Sequence, residues 1–141
     1  MKLHILIVDD SPTLREVIKG QLKDVCQECA LDAVFSEAVN GEQAEKVMQE
    51  NYLLETPVDI VFLDWMMPKM TGLDFLKNLR ETIIFKELPD VIMLTAETYP
   101  DQIAVCMKYN VTSYLTKPFQ YNDLKDALEK IIERRKFKYA V

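Results

Sequence analysis

Two adjacent carboxylates, Asp9 and Asp10, a third at Asp64, the hydroxyl of Thr95 and the ammonium of Lys117 all lie at the ends of short apolar runs. The runs are Ile5 to Val8, Ile60 to Leu63, Val91 to Leu94 and Tyr114 to Thr116. If they are parallel strands, these five groups share one pole of a sheet. Two carboxylates about 4 Å apart repel by roughly 4 kcal/mol at an effective dielectric near 20, and three fare worse. Either one carboxyl is protonated at neutral pH or a cation sits among them. A hard divalent ion such as Mg2+ takes one or two carboxylates, a backbone carbonyl, waters and phosphate oxygens. Asp9 or Asp10, Asp64 and the carbonyl of a residue just past Asp64 could form that shell. Asp64 would then have an oxygen left for an incoming phosphorus, with Lys117 neutralising the phosphoryl oxygens and Thr95 hydrogen-bonding one of them. The chemistry this set suits is metal-assisted phosphoryl transfer, with an acyl phosphate on Asp64 as its product.

The elements that must position these residues can be read from periodicity. The runs at Ile5, Ile60 and Val91 are apolar throughout, as central parallel strands covered on both faces should be. Leu31 to Phe35 alternates and reads as an edge strand, and Ser113 to Leu115 as a second edge. Between them lie helical stripes. Ser11-Pro12 offers a cap and a first-turn proline ahead of Leu14, Val17, Ile18, Leu22 and Val25. Gly41 opens a helix carrying Ala44, Val47 and Met48, and Thr71 caps one carrying Leu73, Leu76 and Leu79. Pro100-Asp101 opens a fourth with Ile103, Ala104 and Met107, after which Asn110 suits a left-handed C-cap. A fifth starts near Gln120 to Asn122 and carries Leu124, Ala127, Leu128, Ile131 and Ile132. Five strands alternating with five helices predict an α/β, open, doubly wound parallel sheet with helices on both faces. Ligands of such sheets bind beyond the carboxyl ends of the strands, where the chemical residues lie.

Composition narrows the function classes. The 141 residues suit one domain, with a core over 3–133 and a basic tail over 134–141, and the net charge of -6 argues against a bulk electrostatic grip on nucleic acid or an anionic membrane. No apolar stretch is long enough to cross a bilayer, and the N-terminus runs into the first strand without a cleavage-type signal, so the expected location is the cytoplasm. The three cysteines are too few and odd in number for a disulfide framework. Cys26-Gln27-Glu28-Cys29 has redox spacing, but it falls near a helix end, where the dipole does not favour thiolate. The basic run Glu133-Arg134-Arg135-Lys136-Phe137-Lys138 reads first as cations at a helix C-terminus.

Each chemical residue has a bland reading alone: Asp9-Asp10 as first-turn acids, Asp64 and Thr95 as turn or cap residues, Lys117 as a surface lysine before a proline. Together, in order and spacing, they carry a resemblance. Asp9-Asp10, Asp64-Trp65-Met66-Met67-Pro68 followed by Met70-Thr71-Gly72, Thr95-Ala96 and Lys117-Pro118-Phe119 resemble the motifs of response-regulator receiver domains, over about residues 3 to 133.

That resemblance implies a single-domain, flavodoxin-like (βα)5 fold with strand order 2-1-3-4-5. It implies Asp64 as phosphoacceptor and Mg2+, with Mn2+ as a substitute, held by Asp9, Asp10, Asp64 and the Met66 carbonyl. Thr95 becomes the switch hydroxyl, Lys117 the phosphoryl contact and Tyr114 the switch aromatic, whose rotation alters the face of the fourth helix, fifth strand and fifth helix. Met66 and Glu97 flank the expected path of the hydrolytic water and would tune dephosphorylation. The implied donor is a phosphohistidine on a histidine kinase or histidine phosphotransfer protein, with small acyl phosphates as substitutes. The implied output is a protein target, with no direct nucleic acid or membrane insertion, and a monomer or phosphorylation-dependent dimer. Such a protein catalyses only its own phosphorylation and dephosphorylation.

Alternatives from other classes fit less well. A receiver fragment of a multidomain regulator shares the same site. An aspartyl phosphatase needs a second carboxylate two residues past its nucleophile, where this chain has Met66. A flavodoxin-type cofactor carrier would meet repulsion between Asp9-Asp10 and the cofactor phosphate. His4 begins its strand and so lies at the opposite pole, as a packed or solvated histidine.

Overall fold

The computed structural model describes residues 2–96 and 100–139, with side chains through Arg135. Five strands and five helices alternate: β1 Lys2–Val8, α1 Pro12–Glu28, β2 Asp32–Ala38, α2 Gly41–Leu53, β3 Ile60–Asp64, α3 Gly72–Glu81, β4 Asp90–Thr95, α4 Pro100–Lys108, β5 Ser113–Thr116 and α5 Tyr121–Tyr139. The strands are all parallel and lie in the order β2-β1-β3-β4-β5, as expected.

Alternation along the strands divides the core into two layers. Ile5, Ile7, Ile60, Phe62, Ile92 and Leu94 face α1 and α5, meeting Ile18, Leu22, Leu124 and Leu128. Leu6, Val8, Val61, Leu63, Val91 and Met93 face the other way, toward Ala44 and Met48 of α2, Phe75 and Leu76 of α3, and Cys106 of α4. The central strands are therefore buried on both sides, which is why they read as unbroken apolar runs.

Local signals set most helix starts. Ser11 Oγ accepts from the Leu14 amide at 3.2 Å, and Thr71 Oγ1 from the Asp74 amide at 3.1 Å. Helix α2 is capped by Asn40, whose side chain accepts from the Gln43 amide, while Gln43 reaches back to the Val39 amide. Asn110 takes φ 58°, the left-handed conformation its position asks for.

The structure differs from the sequence reading in three places. Strand β2 runs three residues further than Phe35, through Ser36 and Glu37 to Ala38, because backbone pairing with Leu6 to Val8 holds these residues despite their polarity. A short 3-10 turn, Ile83–Phe85, follows α3. The basic residues beyond 133, read first as cations at a helix C-terminus, do continue α5 to Tyr139, but two of them have specific partners that the reading did not include. Arg135 donates to Asp59 Oδ1 and to the Asp59 carbonyl, and grips Asp90 Oδ2 through Nε and Nη2 at 3.2 and 3.0 Å. Arg134 pairs with the other Asp90 oxygen. These contacts fasten the end of α5 to the amino ends of β3 and β4.

A buried arginine joins the connections at the same pole. Arg80, at the end of α3, donates to the carbonyls of Phe85, Pro89, Tyr109 and Asn110 at 2.7–3.0 Å. His4 is packed there too, its ring between the Thr56 carbonyl and Ser36 Oγ. Cys26 and Cys29 lie at the end of α1, and burial raises both thiols above the ordinary range, with the Cys29 charge adding to it at Cys26 and the Glu129 charge at Cys29. Among the described residues no helix is long and apolar enough to cross a membrane.

Candidate functional site

Strand register brings the carboxyl ends together. Val8 pairs with Leu63 and Leu94 with Asp64, so Asp9, Asp64 and Thr95 emerge side by side, while Thr95 and Thr116 pair one residue before Lys117. Asp64 and Thr95 are the last residues of their strands, while Asp9 and Lys117 lie one residue beyond theirs.

Each group is held by local structure. The Ser11 amide donates to Asp9 Oδ1 at 2.8 Å, so the residue that caps α1 also aims the Asp9 carboxylate. Arg15, one turn into α1, donates through Nη1 to the Asp9 carbonyl at 2.7 Å and through Nε to Glu37 Oε1 at 3.0 Å. Lys117 is set by its amide, which donates to the Thr95 carbonyl at 2.7 Å. After β3 the chain folds back so that the Gly72 amide meets the Trp65 carbonyl at 2.9 Å. Any Cβ at Gly72 would collide with the backbone carbonyl of Asp64. Only glycine lets α3 start this close to the end of β3.

The resulting constellation is acidic and partly sealed. Oxygens of Asp9, Asp10 and Asp64 lie within 4.8 Å of one another, with Asp9 and Asp64 buried and Asp10 exposed. Lys117 Nζ reaches between the buried pair, 3.0 Å from Asp64 Oδ1 and 3.4 Å from Asp9 Oδ2. Burial pushes the Asp64 carboxyl above the usual carboxylate range and the Asp9 charge adds to this, against Lys117 and the Met66 amide, which favour the ionised form. One ammonium among three carboxylates leaves the cluster short of positive charge. An all-oxygen donor set of this charge fits a hard divalent cation such as Mg2+.

Thr95 is buried, and with Ile103, Cys106 and Tyr114 it lines a narrow apolar recess beside α4. Tyr114 keeps part of its surface in solvent. The Met66 side chain is 68% exposed beside the cluster. Glu97 lies outside the described residues. The structure thus brings Asp9, Asp10, Asp64 and Lys117 into one cluster, with Thr95 at its edge and Tyr114 behind it. Arg15 and Glu37 were missed by the sequence reading. A helical arginine one turn past the acidic pair is a weak signal, and its partner lies 22 residues away.

Residues 5–129 match the family model described as the response regulator receiver domain. The chain is 38% identical over 132 residues to chemotaxis protein CheY-3 of Vibrio cholerae, covering 94% of this chain and 93% of that protein. It is 35% identical to chemotaxis protein CheY1 of Helicobacter pylori, covering 92% and 97%. Among solved structures it superposes on Vibrio cholerae chemotaxis protein CheY4 with a TM-score of 0.71 at 28% identity, covering 95% and 98%. A response regulator receiver domain protein from Clostridium thermocellum gives 0.77 at 27% identity, covering 96% and 98%.

Proposed function

Since the chain belongs to the response regulator receiver domain family, a class of two-component signalling phosphoacceptors, we propose that Asp64 accepts a phosphoryl group in a Mg2+-dependent reaction and that the modified site controls partner binding. The observation that carries this reading is the buried Asp64 carboxylate, bridged to Asp9 by Lys117 and with an oxygen within 4.8 Å of oxygens of both Asp9 and Asp10.

Asp9, Asp10, Asp64 and the Met66 carbonyl would hold the ion, which supplies charge neutralisation between the carboxylates and the phosphoryl oxygens. A carboxylate oxygen of Asp64 attacks phosphorus, the bond from phosphorus to the donor imidazole nitrogen breaks, and its electron pair leaves with the imidazole. Lys117 moves from Asp9 toward the transferred oxygens, and Thr95 Oγ1 hydrogen-bonds one of them. Little other covalent work is needed, because phosphoryl transfer depends mainly on position and charge. The donor is a phosphohistidine on a kinase or phosphotransfer protein. Hydrolysis of the acyl phosphate is tuned by Met66 and Glu97.

The output follows from the shared recess. Drawing the Thr95 hydroxyl toward the phosphate opens room beside α4 for the Tyr114 ring, changing the surface of α4, β5 and α5 where a protein target binds. Incubation with Mg2+ and acetyl phosphate followed by intact mass measurement tests the acceptor. Wild type should gain one phosphoryl group, and Asp64→Asn none. Absence of an adduct on wild type, under conditions that label another receiver, would refute the reading.

A further inference from the structure

The amino pole of the sheet, opposite Asp64, carries an apolar surface that the phosphoryl chemistry does not use. Two hydrophobic pairs stand out from it: Leu53-Leu54 at the end of α2 and Ile83-Ile84 in the 3-10 turn after α3. Leu53, Leu54 and Ile83 are 79%, 72% and 90% exposed. The pairs belong to one patch, because the neighbouring Tyr52 and Phe85 rings meet edge to face with centroids 5.8 Å apart. Phe85 also helps line a groove of about 220 Å³ between α2 and α3, where Met48 and Leu79 are joined by the polar Glu45, Gln49, Asn78 and Thr82. Contiguous exposed apolar surface backed by a groove marks an interaction site.

The rim selects the occupant. The segments carrying the patch, residues 50–56 and 81–88, expose Glu50, Glu55 and Glu81 against a single exposed cation, Lys86, while Glu87 turns to a cavity that it lines with Arg134 and Arg135. A second copy of this chain would set acidic rim against acidic rim, and anionic lipid or nucleic acid would be repelled in the same way. We propose that the α2–α3 underside docks a cationic amphipathic helix of a partner protein, with leucine-type side chains over Leu53, Leu54 and Ile83 and lysines or arginines facing Glu50, Glu55 and Glu81. Helix-in-groove recognition uses such an arrangement, with anchors three and four residues apart. Both segments are helix-to-strand connections at the pole away from Asp64, so the surface is separate from the phosphoryl site.

The test uses a synthetic 18-residue helical peptide of leucine and lysine with leucines every third or fourth position, titrated into the full chain. Amide shift changes should concentrate in residues 48–55 and 79–88. Affinity by fluorescence anisotropy should fall at least tenfold for Leu54→Ser/Ile83→Ser and for Glu55→Lys/Glu81→Lys, and stay unchanged for Val17→Ser on α1. Thermal melts of each variant check that it is folded. Shift changes on another face, equal binding by either double variant, or equal binding of a leucine–glutamate peptide would overturn the proposal. So would a concentration-dependent dimer that Ile83→Ser abolishes, since the occupant would then be a second copy.

Discussion

Asp64, the proposed phosphoacceptor, works against the fold that holds it. Its carboxyl is raised above the ordinary value chiefly by burial and further by Asp9. A carboxylate whose folded pKa exceeds its unfolded one contributes stability below the unfolded pKa, and this is lost as pH rises through the folded pKa. In chelator, Asp64→Asn should therefore melt higher than wild type at pH 7, with the gap closing as pH falls toward 4, the usual carboxylate range. Added Mg2+ should raise the wild-type melting temperature more than the variant's, by mass action on the folded state. A variant that melts lower than wild type at pH 7 without metal would show that the Lys117 contact outweighs burial. The acidic set itself was legible in the sequence, because each member ends a strand-sized apolar run. Arg15, which holds the Asp9 carbonyl, was not, since a single arginine on a helix has no pattern that names its partner.

The elements place these residues, and α5 shows where reading by element stopped short. Its apolar stripe ends at Ile132, so the basic residues beyond read only as cations suited to a helix C-terminus, yet Arg135 is fixed by Asp59 and Asp90, 76 and 45 residues earlier. Asp90 is buried and also accepts from Thr112 Oγ1 at 3.0 Å. Replacing Arg135 by Met leaves that carboxylate with too few partners, and chemical denaturation should show a loss of roughly 3 kcal/mol. Arg134→Met should cost less than about 1 kcal/mol, because its side chain is mostly in solvent. Equal losses at the two positions would mean that the charge of the helix end matters more than the contact. At the other end of α5, Tyr121 and Lys125 both reach Glu28 of α1, at 2.6 and 2.5 Å. The Lys125 and Tyr121 hydrogen bonds lower the Glu28 carboxyl, so this contact favours the fold above the ordinary carboxylate range and fades as pH falls through the lowered value.

Taken as a whole, the molecule has two poles with different work. The carboxyl pole gathers charge for chemistry, and the amino pole is tied by Arg80, Arg135 and His4. Arg80 serves four carbonyls from two connections, Phe85 and Pro89 between α3 and β4 and Tyr109 and Asn110 between α4 and β5. Burial of the guanidinium is offset by these bonds and by the nearby Asp90 charge. Arg80→Met should therefore destabilise the chain by about 3 kcal/mol in urea, with circular dichroism of the remaining folded protein unchanged. A loss under 1 kcal/mol would mean that water replaces the guanidinium at those carbonyls. The sequence by itself determined the strand and helix alternation and the acidic pole, because periodicity, caps and strand-end residues act over a few neighbours. Only the tertiary structure decided which distant groups meet: Arg80 with four carbonyls, Arg135 with Asp59 and Asp90, and the Leu53 and Ile83 pairs on one surface. Those pairings depend on how the elements pack, and packing is set by surfaces and distances that no local pattern of residues records.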